Sequence, residues 1–229
     1  ISACLVGSEM CIRDSLLSIC TFILAGFFAT TFPTCASSQQ ESVPLLTARL
    51  AMDGNHVIVE RAPGTKPIVV QVALPDHRPF LHPVAAPDGK GLVTQYAPDH
   101  HKHQTGIFYG FTNLNGRDYF HHPEGSYWQR VSVNVIKPTA LQPNEAVQWQ
   151  TVYNLLDEKG ETILQESQLW TLRDLGDQYV MDLDWYGDAK VDVKIGKYDY
   201  GGLFVRMPWQ EGSDARLVNS ARETNGRAE

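Results

Sequence analysis

The sequence predicts an all-β protein, an antiparallel β-sandwich, on three observations. From His56 onward apolar residues recur at every second position. Turn-forming pairs separate the segments that carry this pattern. Nowhere after residue 36 does a helical period persist for three turns. Side chains two apart on an extended chain share a face, so the alternation marks strands with one face in a core and the other in water.

The elements follow in chain order. Residues 1–15 contain Val6-Gly7-Ser8-Glu9-Met10-Cys11-Ile12-Arg13-Asp14-Ser15, which reads as a translated sequencing adapter and is set aside from fold reasoning. Residues 16–36 read as a signal peptide. Leu16 to Ala29 is apolar and uncharged, shorter than the ~20 residues that cross a bilayer as a helix, and Thr34-Cys35-Ala36 offers small residues for cleavage. A lipoprotein reading through Cys35 is weaker, because Phe32-Pro33-Thr34 is a poor approach to a lipidation site. Residues 37–229 are then one β-sandwich domain, expected to be incomplete at its C-terminal side because the chain stops in the polar run Asn219–Glu229. Export places the domain in the periplasm or outside the cell.

Within that domain Leu45 to Met52 is the one short helical candidate. Strands are expected around 128–137, 144–156, 162–173 and 178–186, forming an antiparallel meander. Val131, Val133 and Val135 repeat on one face, as do Val147, Trp149, Thr151 and Tyr153. Tyr179, Met181, Leu183 and Trp185 share a face, with Asp182 and Asp184 opposite. Asp157-Glu158-Lys159-Gly160 joins two of these runs as a hairpin, and Asp53-Gly54, Asp88-Gly89, Asn115-Gly116 and Gly176-Asp177 are further turns.

A formal net charge of −7 argues against a nucleic-acid partner, which would need a basic face. All four cysteines, Cys4, Cys11, Cys20 and Cys35, precede residue 37, so the domain has no disulfide and must cohere by core burial. A mature form without its leader has no membrane span.

Chemistry concentrates in the histidines. Seven of the eight lie between His77 and His122, and Asp99-His100-His101-Lys102-His103 holds three of them. Imidazole titrates near neutral pH and is the commonest metal ligand. If His101 and His103 lie on extended backbone they share a face with Asp99, a set suited to zinc, iron or another borderline divalent metal. The alternative is a polar loop with satisfied histidines. His82-Pro83 and His121-His122-Pro123-Glu124 each end an apolar stretch, where a sheet delivers residues to loops, and Glu124 is an acid/base candidate. In Lys197–Trp209, Tyr198, Tyr200 and Trp209 are candidates for stacking on a sugar, and Asp199 and Arg206 for binding hydroxyls or a carboxylate. Core packing is the alternative for Trp209. Arg206 in an apolar strand needs a partner if buried. No Gly-x-Ser-x-Gly elbow, phosphate-binding Gly-rich loop, dinucleotide fingerprint or His-Glu-x-x-His occurs.

Arg78-Pro79-Phe80-Leu81-His82-Pro83-Val84-Ala85-Ala86-Pro87-Asp88-Gly89, Asp99 to Gly106, Asn115-Gly116-Arg117-Asp118-Tyr119-Phe120 and Arg206-Met207-Pro208-Trp209 occur in that order. Together they resemble an uncharacterised secreted bacterial family that carries the label "methane oxygenase PmoA", over about residues 45–229. A particulate methane monooxygenase subunit crosses the membrane several times, and this chain has one short apolar run, so the label does not describe it. The resemblance implies a galactose-mutarotase-like β-supersandwich and a setting beside carbohydrate catabolism. It assigns no catalytic residue.

The sequence therefore leads to an exported protein with a small-molecule or glycan partner, acting on a carbohydrate or sugar-derived substrate through a His-rich cleft. An epimerase, lyase or hydrolase would use His101, His103 and Glu124 as catalytic groups, with His82, His121, His122, Tyr198, Asp199 and Arg206 binding substrate. One alternative is a non-catalytic glycan-binding module. The other is an oxidoreductase with metal held by Asp99, His101 and His103.

Overall fold

The computed structural model describes residues 46–211 and residue 218, except residues 100 and 143. Residues 1–15 and 16–36, expected as artefact and signal peptide, lie outside the described residues, as does His100.

Strands and connecting segments, without a helix, make up the described residues. They are β1 (Leu46–Leu50), β2 (His56–Glu60), β3 (Val69–Val72), β4 (Phe80–Val84), β5 (Ile107–Gly110), β6 (Trp128–Lys137), β7 (Thr139–Ala140), β8 (Val147–Leu156), β9 (Thr162–Asp174), β10 (Tyr179–Ala189) and β11 (Gly202–Val205). A seven-stranded sheet has the order β11-β5-β4-β3-β2-β1-β7 and a four-stranded sheet the order β10-β9-β8-β6, and every named pair is antiparallel. This is the all-β sandwich that the alternation predicts; neither sheet closes into a barrel.

The expected meander is the four-stranded sheet. Along β8, Val147, Trp149, Thr151, Tyr153 and Leu155 are each fully buried, while the residues between them are half-buried. The hairpin after β8 is tied by the Asp157 carboxylate, which accepts the backbone N–H of Lys159 and of Glu161 at 2.8 and 2.9 Å. Asn115 and Gly116 both have positive φ (52° and 83°) between Leu114 and Arg117, which exchange backbone hydrogen bonds, as a tight primed hairpin turn requires.

Two expectations are corrected. The helix expected over Leu45–Met52 is replaced by a strand at residues 46–50, which form β1, with Leu46 and Ala48 in the core and Arg49 bonded to Glu60 across the β1–β2 pair. Val131 does not share the face of Val133 and Val135. The β6–β8 register shifts between Arg130 and Ser132, and the extra residue of this bulge turns Val131 outward, to 52% exposure.

The main core lies between the sheets. Leu46, Ala48, Val57, Val59, Val69, Leu81 and Val84 of the seven-stranded sheet meet Val147, Trp149, Trp170 and Leu172 of the other. Each large side chain so buried contributes ~1.5–3 kcal/mol. A smaller cluster of Phe80, Phe108 and Phe120, with Phe204 against it, forms an apolar floor under the segments that carry the histidines.

Candidate functional site

Two segments bring the histidines together: 98–106, which leads into β5, and 118–124, which leads toward β6. What joins them is Arg78. Its guanidinium is fully buried, stacked 3.5 Å over the Phe108 ring. Nη1 donates to the Phe120 carbonyl at 2.5 Å, and Nη2 donates to the His103 carbonyl at 2.6 Å and to Thr105 Oγ1 at 3.3 Å. One planar fork thus fixes the backbone at both histidine-bearing segments. Burial presses the Arg78 pKa down, while Glu166 and Asp118 oppose that shift.

Further bonds shape the first segment. Gln95 N–H donates to the Arg206 carbonyl and Arg206 N–H to the Gly106 carbonyl, which ties the segment to the chain after β11. Gly106 has φ +84°, and a Cβ there would run into the Leu81 carbonyl, so this close approach requires glycine.

The result is a cleft of about 680 Å³ lined by His77, Tyr96, Ala97, Lys102, His103, Thr105, His121, Pro123 and Glu124. The His103 ring lies 4.6 Å from the His121 ring and 5.9 Å from that of His101. Desolvation lowers the His103 pKa to about 4; the charges of His121, His101 and Arg78 act in the same direction and Asp118 opposes them. At neutral pH His103 is an uncharged imidazole, able to donate one hydrogen bond and accept another.

His121 is held at both nitrogens. Asp118 Oδ1 accepts the backbone N–H of Phe120 and of His121 at 2.9 and 3.0 Å, and Oδ2 lies 2.7 Å from His121 Nδ1. A carboxylate only accepts, so Nδ1 carries a proton, and in that tautomer Nε2 is the acceptor. Tyr200 Oη, 2.9 Å from Nε2, donates to it. Burial, first among the causes, raises the Tyr200 pKa, so the phenol keeps its proton at neutral pH.

His77 is buried, with Nδ1 donating to the Arg78 carbonyl at 2.7 Å, and its pKa is lowered chiefly by that burial. It bridges Glu124 through the backbone and so brings that exposed carboxyl to the rim. Tyr96, half-exposed, lines one wall with its ring 5.7 Å from Phe80 and 5.5 Å from His82.

Of the sequence candidates, His103, His121 and Glu124 line the cleft, and His101 adjoins it through His103. His82 is set back behind Tyr96, bonded to Thr94 Oγ1 at 3.0 Å. His122 stacks flat on Tyr127, 4.7 Å away at 7°, outside the cleft lining. Tyr198 packs on Tyr200, which is not itself among the lining residues but adjoins the cleft through its bond to His121; Asp199 is exposed between them in sequence, and Arg206 Nε donates to Gln95 Oε1 at 3.2 Å.

The Asp99–His101–His103 segment is not extended. His101 N–H donates to the Pro98 carbonyl and Gln104 N–H to the His101 carbonyl, so the backbone turns between Pro98 and Gln104, and Asp99 has φ +32°. The strand alternation that would put these three on one face is therefore absent. Among the described residues no group of three or more His, Cys, Asp or Glu is placed to hold a metal ion.

Sequence reasoning missed Arg78, His77, Tyr96, Asp118 and the bond made by Tyr200. A guanidinium in an apolar run needs partners, and Arg78 beside Pro79-Phe80-Leu81 carries that signal more strongly than Arg206. Asp118 three residues before His121 is the spacing at which a carboxylate meets the following backbone and ring.

The class this defines is an all-β sandwich with an imidazole-lined cleft at one end of its larger sheet. A family model, that of a family of unknown function (DUF6807), matches residues 70–229, a span that contains the whole cleft. The chain belongs to this family. Neither a curated protein nor a solved structure matches it.

Proposed function

We propose that this protein is an exported enzyme that acts on a carbohydrate or sugar-derived substrate in the cleft between His103 and His121. The observation that carries the reading is the convergence of His77, His103, and His121 with Glu124, from three stretches of chain, on a cleft walled by an exposed tyrosine. Epimerisation, elimination and hydrolysis of sugars each need two proton transfers at positioned groups. His121, oriented by the Asp118 carboxylate, is the acid/base group; His103, uncharged, hydrogen-bonds the substrate; Glu124 at the rim supplies a second carboxyl. Tyr96 offers its ring to the apolar face of a sugar. Export is supported by the uncharged run Leu16–Ala29 and the small residues at 34–36. We take the family to be the one labelled "methane oxygenase PmoA". No helix among the described residues is long and apolar enough to cross a membrane.

The test is a screen of neutral sugars, uronic acids and their oligomers for binding by calorimetry and for product by mass spectrometry. On a substrate so found, His121→Ala is expected to lower kcat by ~10²–10⁴-fold. Absence of both binding and turnover across the screen overturns the reading. A second reading, a glycan-binding module, is favoured by the exposure of Tyr198 and Trp209 (51% and 49%). Binding without product, unchanged in His121→Ala, would select it.

A further inference from the structure

The phenol of Tyr200 and that of Tyr198 sit side by side, rings 5.2 Å apart, and are almost equally exposed, at 48% and 51%. Only Tyr200 bonds to an imidazole, and that imidazole is backed by a carboxylate: Asp118 Oδ2 to Nδ1 at 2.7 Å, Nε2 to Tyr200 Oη at 2.9 Å. Asp118 is itself fixed by two backbone N–H groups, and the Tyr200 carbonyl accepts the Thr112 hydroxyl at 2.9 Å. Both ends of the line are anchored. The order carboxylate, imidazole, hydroxyl is the one by which a base activates a hydroxyl, with a phenol in the hydroxyl's place.

We infer that Asp118, His121 and Tyr200 form a proton relay in which Tyr200 is the catalytic group that meets the substrate hydroxyl at the rim of the cleft. This rests on the reading of the cleft as a site for polyhydroxylated substrates and adds the atom that exchanges the proton. The substrate O–H gives its proton to the Tyr200 oxygen as Tyr200 passes its own to His121 Nε2. The imidazolium so formed stays beside the Asp118 carboxylate, which remains ionised, and no bond between heavy atoms of the protein changes. Protonation of a leaving oxygen runs the same steps backward.

The relay makes Tyr200 reactive even without substrate, and Tyr198 is its internal control. With a sulfonyl fluoride such as phenylmethylsulfonyl fluoride, the phenol oxygen attacks sulfur, the S–F bond breaks, fluoride leaves, and the phenol proton goes to His121. Labelling of the full chain, located by peptide mass spectrometry, is expected to be up to ~100-fold faster at Tyr200 than at Tyr198. In Asp118→Asn and His121→Phe the Tyr200 rate should fall to that of Tyr198; the milder Asp118→Asn decides if His121→Phe does not fold. Equal rates at the two tyrosines in the wild type, or a Tyr200 rate unmoved by Asp118→Asn, overturn the relay. Fast, Asp118-dependent labelling in a protein that turns over no sugar would instead sink the carbohydrate reading and leave the relay standing. On any substrate found, Tyr200→Phe should reduce kcat at little cost in KM, and a loss confined to KM would return Tyr200 to a binding role.

Discussion

The two sheets of this molecule hold together by different means. The four-stranded sheet has strands of ten to thirteen residues, and its inner face is a row of large buried side chains centred on Trp149, Tyr153 and Trp170. The seven-stranded sheet has strands of two to five residues, and the cleft is built on the segments between them. There a few directional bonds do the joining: Arg78 to two carbonyls, Asp118 to two backbone N–H groups, Thr94 Oγ1 accepting from Val84 N–H. Apolar burial is non-directional and spread over many residues. A buried guanidinium is neither: it sets two segments in one geometry and holds them by a single side chain. The scaffold and the site therefore fail in different ways, and mutation can separate them.

The largest effect belongs to the scaffold. Trp149 is fully buried between the sheets, and its Nε1 donates to Gln71 Oε1 at 3.1 Å across them. Trp149→Ala should cost ~3–5 kcal/mol of global stability through the cavity and the orphaned amide. Urea denaturation measures it. A loss below ~1 kcal/mol would mean that the two inner faces do not pack through this ring.

Arg78→Met should be smaller globally and larger locally. A methionine keeps the apolar stem but leaves the Phe120 and His103 carbonyls without donors, at a cost of ~1–3 kcal/mol for each buried acceptor. Hydrogen exchange should quicken in 98–106 and 118–124 while β8 and β9 keep their protection. Uniform loosening of both sheets would show that Arg78 supports the whole sandwich and not the cleft alone. Arg78→Lys should not restore the cleft, because an ammonium has no planar fork to span two carbonyls.

The same contrast explains what could be read from the sequence. The meander was legible because its strands are long enough for a period of two to repeat, four or five times in β8 and β9, and β6 and β9 begin at residues 128 and 162, where they are expected. The bulge at Val131 leaves no such trace, since an inserted residue shifts phase without changing composition. The short strands of the larger sheet offer at most three buried residues each, so β1, with Leu46 and Ala48, is as compatible with a helical turn as with a strand. At the cleft, histidine density pointed to the region. It could not reveal that residues 98–104 turn, nor that His122 faces Tyr127 while His121 faces His103. Those outcomes depend on Arg78 and Asp118, whose contacts are made across the fold.

The smallest effect is a pair of opposite pH dependences, one from each region. Glu166 on β9 is fully buried, with Trp185 Nε1 and Gln168 Nε2 donating to its two oxygens, and burial raises its pKa from 4.5 to about 7. Between those values the folded state holds a proton that the unfolded state has lost, so stability falls as pH rises, by at most ~3 kcal/mol. His103 has the reverse sign. Its folded pKa is about 4 against 6.5, so between those values the unfolded chain binds the extra proton and stability rises with pH. Its ring is only part-buried, whereas Glu166 is fully buried, so this term is the weaker of the two. Urea midpoints from pH 4 to 8 test both. Glu166→Gln strands one of the two donors at every pH, a constant offset, but should abolish the decline toward pH 8; His103→Gln should flatten the acid limb and leave that decline in place. A Glu166→Gln profile parallel to the wild type would show that the buried carboxyl is ionised throughout, with the Arg78 guanidinium as its counter-charge, and the core and the cleft would then be one electrostatic unit.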